Sequence, residues 1–136
     1  MPTWTPDWTA VPAPLATFFA ERHLATLTTL RPDGRPHLVP VGLAVDAERA
    51  CAWVITFPAS RKARNVVASP GGPVAVCHVD GRRWVTLEGT ATATTEPEDV
   101  ARAVERYAAR YRRPKDRPDR VAIRIDVTRV LHSATL

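Results

Sequence analysis

The stretch from Leu24 to Asn65, LATLTTLRPDGRPHLVPVGLAVDAERACAWVITFPASRKARN, carries the pattern that decides the fold. His23–Arg31, rich in Leu and Thr, reads as a strand; Pro32-Asp33-Gly34-Arg35 has turn chemistry; Pro36–Val45 reads as the returning strand of a hairpin. Asp46-Ala47-Glu48-Arg49 turns the chain into a third strand, Ala50–Phe57, and a helix is expected over Arg61–Ala68, closed by Ser69-Pro70-Gly71-Gly72. Where strand gives way to helix, three cations, a hydroxyl and an amide are gathered in Ser60-Arg61-Lys62-Ala63-Arg64-Asn65. A helix start offers unpaired N–H donors and a positive dipole end, so an anion such as phosphate is favoured there.

Outward from this stretch the periods alternate. Upstream, Leu15, Phe18, Phe19 and Arg22 recur at helical spacing behind Pro14, which predicts a short helix over 13–22. Residues 1–12, with Trp4, Trp8 and several prolines, read as an arm laid over another surface, with terminal disorder as the rival reading. Downstream, Pro73–Val79 and Arg83–Thr95 form a second hairpin across Asp80-Gly81-Arg82, and Gly89 inside the long strand signals a bulge or a close backbone approach. Thr95-Glu96-Pro97-Glu98 has capping-box spacing before a helix to about Arg112, whose face carries Val100, Ala103, Val104, Tyr107, Ala108 and Tyr111. Arg110, Arg112 and Arg113 suit the negative end of that helix. After the charged, proline-broken loop 112–118, Val121, Ile123, Ile125 and Val127 alternate as a last strand. Antiparallel hairpins interrupted by single helices predict a mainly β, α+β domain over 13–136, a small antiparallel barrel with covering helices.

Composition narrows the function classes. The chain has 136 residues, enough for one domain, and a formal charge of +5 in which every basic residue except Lys62 and Lys115 is arginine. Arginine suits bidentate contacts to phosphate or carboxylate, but no interleaving of aromatic and basic residues of a nucleic-acid module is written here, so no nucleic-acid partner is expected. Cys51 and Cys77 lie in apolar runs without Cys-x-x-Cys spacing and read as buried thiols. His23, His37, His78 and His132 have no metal-site spacing, so no metal is expected. With neither a leader pattern at Met1–Trp8 nor a membrane-length apolar run, the expectation is a soluble cytoplasmic protein. No Ser or Cys stands in a nucleophile-elbow context, which leaves any chemistry to a cofactor and names no catalytic side chain.

The candidate residues each carry two readings. Ser60–Asn65 is either a solvated basic first turn or a phosphate cradle; like charges at a helix start oppose the dipole, which asks for a compensating anion. In His37-Leu38-Val39-Pro40-Val41, Pro40 cannot donate to a ladder and marks an edge or a bulge, while His37 reads as a surface histidine. Trp84 is core, subunit contact or a wall against a ligand ring.

Leu24–Leu30 with Asp33–His37, the run Ser60–Asn65, Val79–Trp84 with Leu87-Glu88-Gly89, and Glu105–Tyr107 through Arg110–Arg112 resemble the split-barrel flavin-binding superfamily that contains the pyridoxamine 5′-phosphate oxidases. Within it the chain resembles the branch of coenzyme F-420-dependent biliverdin reductases of actinobacteria, over about Glu21 to Ala134. The resemblance implies a six-stranded antiparallel split barrel, a homodimer with its cofactors in grooves between subunits, and reduced deazaflavin giving a hydride to biliverdin or a related tetrapyrrole. It implies cofactor contacts at Val39, Pro40, Val41, Thr56, Ser60, Lys62, Arg64, Asn65 and Trp84. The alternatives are an FMN protein of the pyridoxamine phosphate oxidase type or a non-enzymatic binder. Against the former, the tail Arg129–Ala134 stops without the longer C-terminal segment that such oxidases use to hold substrate.

Overall fold

In the computed structural model, which describes residues 1–136, the elements follow as β1 (Thr3–Trp4), α1 (Ala13–Ala20), β2 (Ala25–Leu30), β3 (Pro36–Val41), β4 (Leu43–Asp46), β5 (Cys51–Thr56), α2 (Arg61–Ala68), β6 (Gly72–Asp80), β7 (Arg83–Thr94), α3 (Pro97–Arg110) and β8 (Val121–His132). Neighbours pair antiparallel in the order β3-β2-β6-β7-β8-β5-β4. The two ends of this path, β3 and β4, are consecutive in the chain, so the sheet curls into a barrel and is split where one strand becomes the other.

The split is at Gly42. A single strand is expected over Pro36–Val45; the structure bends it there, pairing the first half with β2 and the second with β5. A Cβ at 42 would lie 2.6 Å from Cε2 of Tyr107 and 3.1 Å from Cε2 of Tyr111, so only glycine lets α3 press its tyrosine rings on the bend. Beyond the bend all of β4 is buried, one face on the barrel interior and the other under α3.

Alternation fills the barrel. Leu27, Leu43, Val54, Val76, Val85, Leu87, Ile123 and Ile125 point inward and are buried, joined by Leu15, Phe18 and Phe19 of α1. The opposite face of β5 supplies Cys51 and Trp53 to a smaller cluster with Ala103 of α3, and burial pushes the Cys51 thiol up to about 12.

Two local expectations change in detail. The helix α3 starts one residue later than a capping box at Thr95 requires, because Pro97 takes the first helical position and makes Glu96 the cap. The capping work falls to Thr94, whose Oγ1 accepts from the Glu96 N–H at 3.1 Å and donates to Asp99 at 3.3 Å. Arg110 does not face solvent at the helix end. It is buried, donating to the carbonyls of Glu21 (2.8 Å), Leu43 (2.6 Å) and Phe18 (3.3 Å) and meeting His78 Nε2 at 3.1 Å.

At Gly89, as expected, the register slips: Glu88 faces Arg129 and Gly89 faces Val127, and a Cβ there would sit 2.2 Å from the Asp126 carbonyl oxygen. The N-terminal arm is laid over the barrel, β1 pairing with Val130 and Leu131 while Trp4 and Trp8 meet edge to face and pack against the core. No helix is long and apolar enough to cross a membrane.

Candidate functional site

The strand-to-helix junction is built by hydroxyls. Ser60 caps α2, its Oγ accepting from the Ala63 N–H at 3.2 Å, and Thr56, buried at the end of β5, donates its own proton to the same oxygen at 2.8 Å. With both acceptor positions used, the Ser60 hydroxyl has one bond left to make, as a donor. It is primed for an anion.

The charges around it have no counter-ion. Arg61 and Lys62 are half-buried and form no ion pair, and burial lowers the proton affinity of Lys62. His37, at the start of β3, is held to its neutral form by burial and then by the positive charge of Arg31, Lys62 and Arg61. Its Nδ1 is enclosed without a hydrogen-bond partner. None of these three cations has an ion-pair partner, which leaves a positive field that an anion would satisfy. No cluster of His, Cys, Asp and Glu comes together in a way that could hold a metal ion.

Lys62 opens onto a cavity of about 210 Å³ floored by Pro40, Val41 and Gly42 at the split and walled by Ile55 and Tyr107. Pro40 lies on β3, the end of the pairing path, where the missing N–H costs no ladder bond, so the edge reading holds. Val39 is half-buried and turns inward with Val41.

Expected site residues divide between the two flanks of α2. Lys62 comes together with Pro40 and Val41 at the split, while Thr56 and Ser60 are bonded to each other at the end of β5, two residues ahead of it. Asn65 does not share that cavity: it is 3 % exposed, donates Nδ2 to Thr29 Oγ1 at 3.0 Å, and borders a separate cavity of about 400 Å³ with Thr29 and Arg31. Its Oδ1 has no partner. Arg64 is exposed on the far flank, beside Val67 and Ala93. Trp84 lies on the outer face of the sheet, paired with Val79, and its backbone N–H donates to Ser133 Oγ at 3.1 Å.

Two residues of the site were hidden in the pattern. Tyr107 and Tyr111 mark a helix face by their spacing, which reads as core; the structure puts Tyr107 on the cavity wall and uses Tyr111 as a clamp. The Tyr111 hydroxyl donates to the His23 carbonyl at 2.6 Å and accepts from the Leu43 N–H at 3.1 Å, fixing the chain just past the bend. A glycine between Val41 and Leu43, inside a strand-like run, was the signal available for a close approach.

Comparison with known proteins agrees with this architecture. A family model described as pyridoxamine 5′-phosphate oxidase matches residues 11–134. An F-420H(2)-dependent biliverdin reductase of Mycobacterium tuberculosis (strain CDC 1551 / Oshkosh) is 47% identical over 119 residues, covering 88% of this chain and 85% of that protein. The crystal structure of a conserved hypothetical protein, Rv2991, of Mycobacterium tuberculosis superposes with a TM-score of 0.74 at 30% identity, covering 91% of this chain and 84% of that one. A structure described as an F-420 reductase shares the fold, with a TM-score of 0.68 at 24% identity over 89% of this chain and 98% of that one.

Proposed function

We propose, from the premise that the chain belongs to the pyridoxamine 5′-phosphate oxidase family, that it is a cytoplasmic oxidoreductase using reduced coenzyme F-420 to reduce biliverdin or a related linear tetrapyrrole. The observation that carries the reading is the counter-ion-free junction of Ser60, Arg61 and Lys62 beside the cavity at the split, which fits a phosphate on a flat ring system. The site offers donors and cations rather than an acid–base pair, so the protein's part is to bind, orient and exclude water. When bound, the reduced deazaflavin supplies the hydride. Lys62 and the free Ser60 proton hold the phosphate; Val39, Pro40 and Val41 run along the ring; Arg64 and Asn65 stand one layer further out, on the flanks of α2. FMN presents the same phosphate to the same junction and is the alternative cofactor.

The enzyme is proposed to act as a homodimer. The outer face of β3, β2, β6 and β7 carries Leu38, Leu30, Pro40, Cys77, Val79 and Trp84 on one side, and Leu38 and Val79 are 62 % and 67 % exposed. A second copy covers this face and brings Trp84 toward the cofactor groove of its partner. Light scattering should give twice the 15.0 kDa chain mass, and Leu38→Glu should shift it to the monomer; a monomeric parent protein at micromolar concentration refutes the dimer.

Fluorescence titration with coenzyme F-420 and with FMN tests the cofactor. Lys62→Ala should weaken binding by about 1–3 kcal/mol, the scale of a charge-assisted bond, without unfolding the protein. Anaerobic mixing with reduced coenzyme F-420 and biliverdin should couple deazaflavin oxidation to bilirubin formation. Tight cofactor binding without turnover of any tetrapyrrole removes the substrate; no binding of either cofactor removes the reading.

A further inference from the structure

The backbone of Trp84 is held by the far end of the chain. In a regular ladder Trp84 and Ser133 would exchange two bonds between backbone groups, as the rung beyond Val85 and His132. The Ser133 N–H does donate to the Trp84 carbonyl at 3.0 Å. The return bond is different: the Trp84 backbone N–H goes to Ser133 Oγ at 3.1 Å, because the Ser133 carbonyl has turned away to accept from the Leu136 N–H at 3.2 Å. Ser133 is buried, and its hydroxyl meets that of Thr135 at 3.0 Å, while the Thr135 hydroxyl donates to the Arg82 carbonyl at 2.7 Å. A side chain thus closes the last rung, and the tail behind it grips the turn of the β6–β7 hairpin.

The start of the chain braces the same place from the other side. β1 lies along Val130 and Leu131, and the His132 N–H donates to the Pro2 carbonyl at 3.1 Å, so the segment leading to Ser133 runs between β7 and the arm. Arg83, next to Trp84, pairs with Glu21 at 3.0 Å and with Asp80. Hairpin ends exposed to solvent are ordinarily the mobile parts of a sheet. This one is fixed from three directions, while Trp84 and Val79 stand on its outer face and Val79 is 67 % exposed. A wall for a flat ring needs that rigidity, since a side chain that must be ordered on binding costs affinity.

We propose that Ser133 is a positioning residue for Trp84, through which the two chain termini set the wall that each subunit presents to its partner's cofactor groove. The proposal rests on the functional reading above, in which Trp84 reaches that groove. Ser133 acts through Trp84 alone: loss of its hydroxyl leaves the Trp84 backbone N–H without a partner and frees the hairpin end to shift.

The test uses the full chain labelled with 5-fluorotryptophan, whose four tryptophans give four fluorine NMR lines, that of Trp84 assigned by Trp84→Leu. Without any ligand, Ser133→Ala should broaden or split the Trp84 line and leave that of the buried Trp53 in place. Coenzyme F-420 should move the Trp84 line in the parent protein, and Ser133→Ala should weaken its binding about tenfold in fluorescence titration. In the Trp84→Leu background the same substitution should weaken binding no further, whereas a loss through general instability would persist. Ser133→Thr, which keeps the hydroxyl, should restore both the single line and the affinity. Thr135→Val, at an exposed position, carries the same test if Ser133→Ala does not fold. A Trp84 line unchanged in both Ser133→Ala and Thr135→Val, or a loss of affinity undiminished in the Trp84→Leu background, overturns the proposal. Binding of coenzyme F-420 that leaves the Trp84 line in place overturns it too, with the cofactor reading intact. Absence of binding by the parent sinks the functional reading, and the ligand-free lines still decide whether Ser133 positions Trp84.

Discussion

Asp46 and Arg102 meet in a two-pronged ion pair, Nε donating to Oδ2 and Nη2 to Oδ1, both at 2.8 Å. The pair fastens α3 to the second half of the bent strand, and Asp46 also accepts from Trp53 Nε1 at 3.0 Å and the Arg49 N–H at 3.3 Å. Burial opposes ionisation, yet the bonds from Arg102, Trp53 and Arg49 outweigh it and bring the carboxyl down to about 2. Removing Arg102 leaves the enclosed Asp46 carboxylate without its cation, and removing Asp46 leaves Arg102 only the exposed Glu48 as a partner. Asp46→Asn should therefore cost about 3 kcal/mol in urea unfolding, far more than loss of an exposed pair such as Arg35–Asp33. An equal effect at the two places would show that the burial contributes nothing.

Acid should weaken the fold in two stages. His78 is enclosed between Arg110 and Phe18, and burial, then the Arg110 charge, pull its pKa down to about 3. An unfolded histidine titrates near ~6.5, so below that pH the unfolded chain binds a proton that the folded chain refuses. Stability should fall at about 1.4 kcal/mol per pH unit as pH drops from about 6.5 toward about 3. Asp46 shares the sign but not the window: its contribution is complete above an unfolded value near ~3.9 and is lost as pH falls toward about 2. Denaturant midpoints measured between these limits should lose most of the upper stage in His78→Gln, leaving the smaller share of His37, and keep it in Asp46→Asn.

At the split, Gly42→Ala should destabilise the fold by about 1–3 kcal/mol, because the new methyl meets two tyrosine rings. It should also disturb the cavity that Tyr107 walls, so ligand affinity and stability should fall together. Tyr107→Ala in the same chain should recover part of the stability, leaving the Tyr111 contact. If Gly42→Ala unfolds at the denaturant concentration of the parent, the close approach does not constrain the bend.

Thr56 and Ser60 should separate under mutation. Ser60→Ala loses a helix cap worth about 1 kcal/mol as well as a ligand donor, so both stability and cofactor affinity should fall. Thr56→Val keeps the cap bond and frees the Ser60 proton to turn away from the ligand, so affinity should fall with little change in urea midpoint. The pair is read by fluorescence titration beside unfolding; equal losses of stability would remove the distinction.

The elements that a local pattern can specify were legible in the chain. Arg61–Ala68 begins and ends where its cap and its Ser-Pro-Gly-Gly stop place it, and the hairpins fall on their Asp-Gly turns. The bulge at Gly89 and the edge character of Pro40 follow from what those residues cannot do. Legibility failed where a residue's role depends on a distant partner. Arg110 looks like a helix-end charge until Glu21, Leu43 and His78 surround it. Asn65 looks like part of the cradle until Thr29, 36 positions away, takes its amide. The tyrosines of α3 look like core because spacing reports a face, not what that face meets.

Arg110 also bears on the order of assembly. Its partners stand 32, 67, 89 and 92 positions away in the chain, on α1, the segment after it, β4 and β6. None of them can be met until the barrel has closed and α3 has docked, since each contact waits on a long loop closure. Interactions of that kind should be absent from the folding transition state. Weakening this node should leave the rate of folding almost untouched and shorten the lifetime of the folded molecule, so the arginine acts as a latch on a barrel that has already formed.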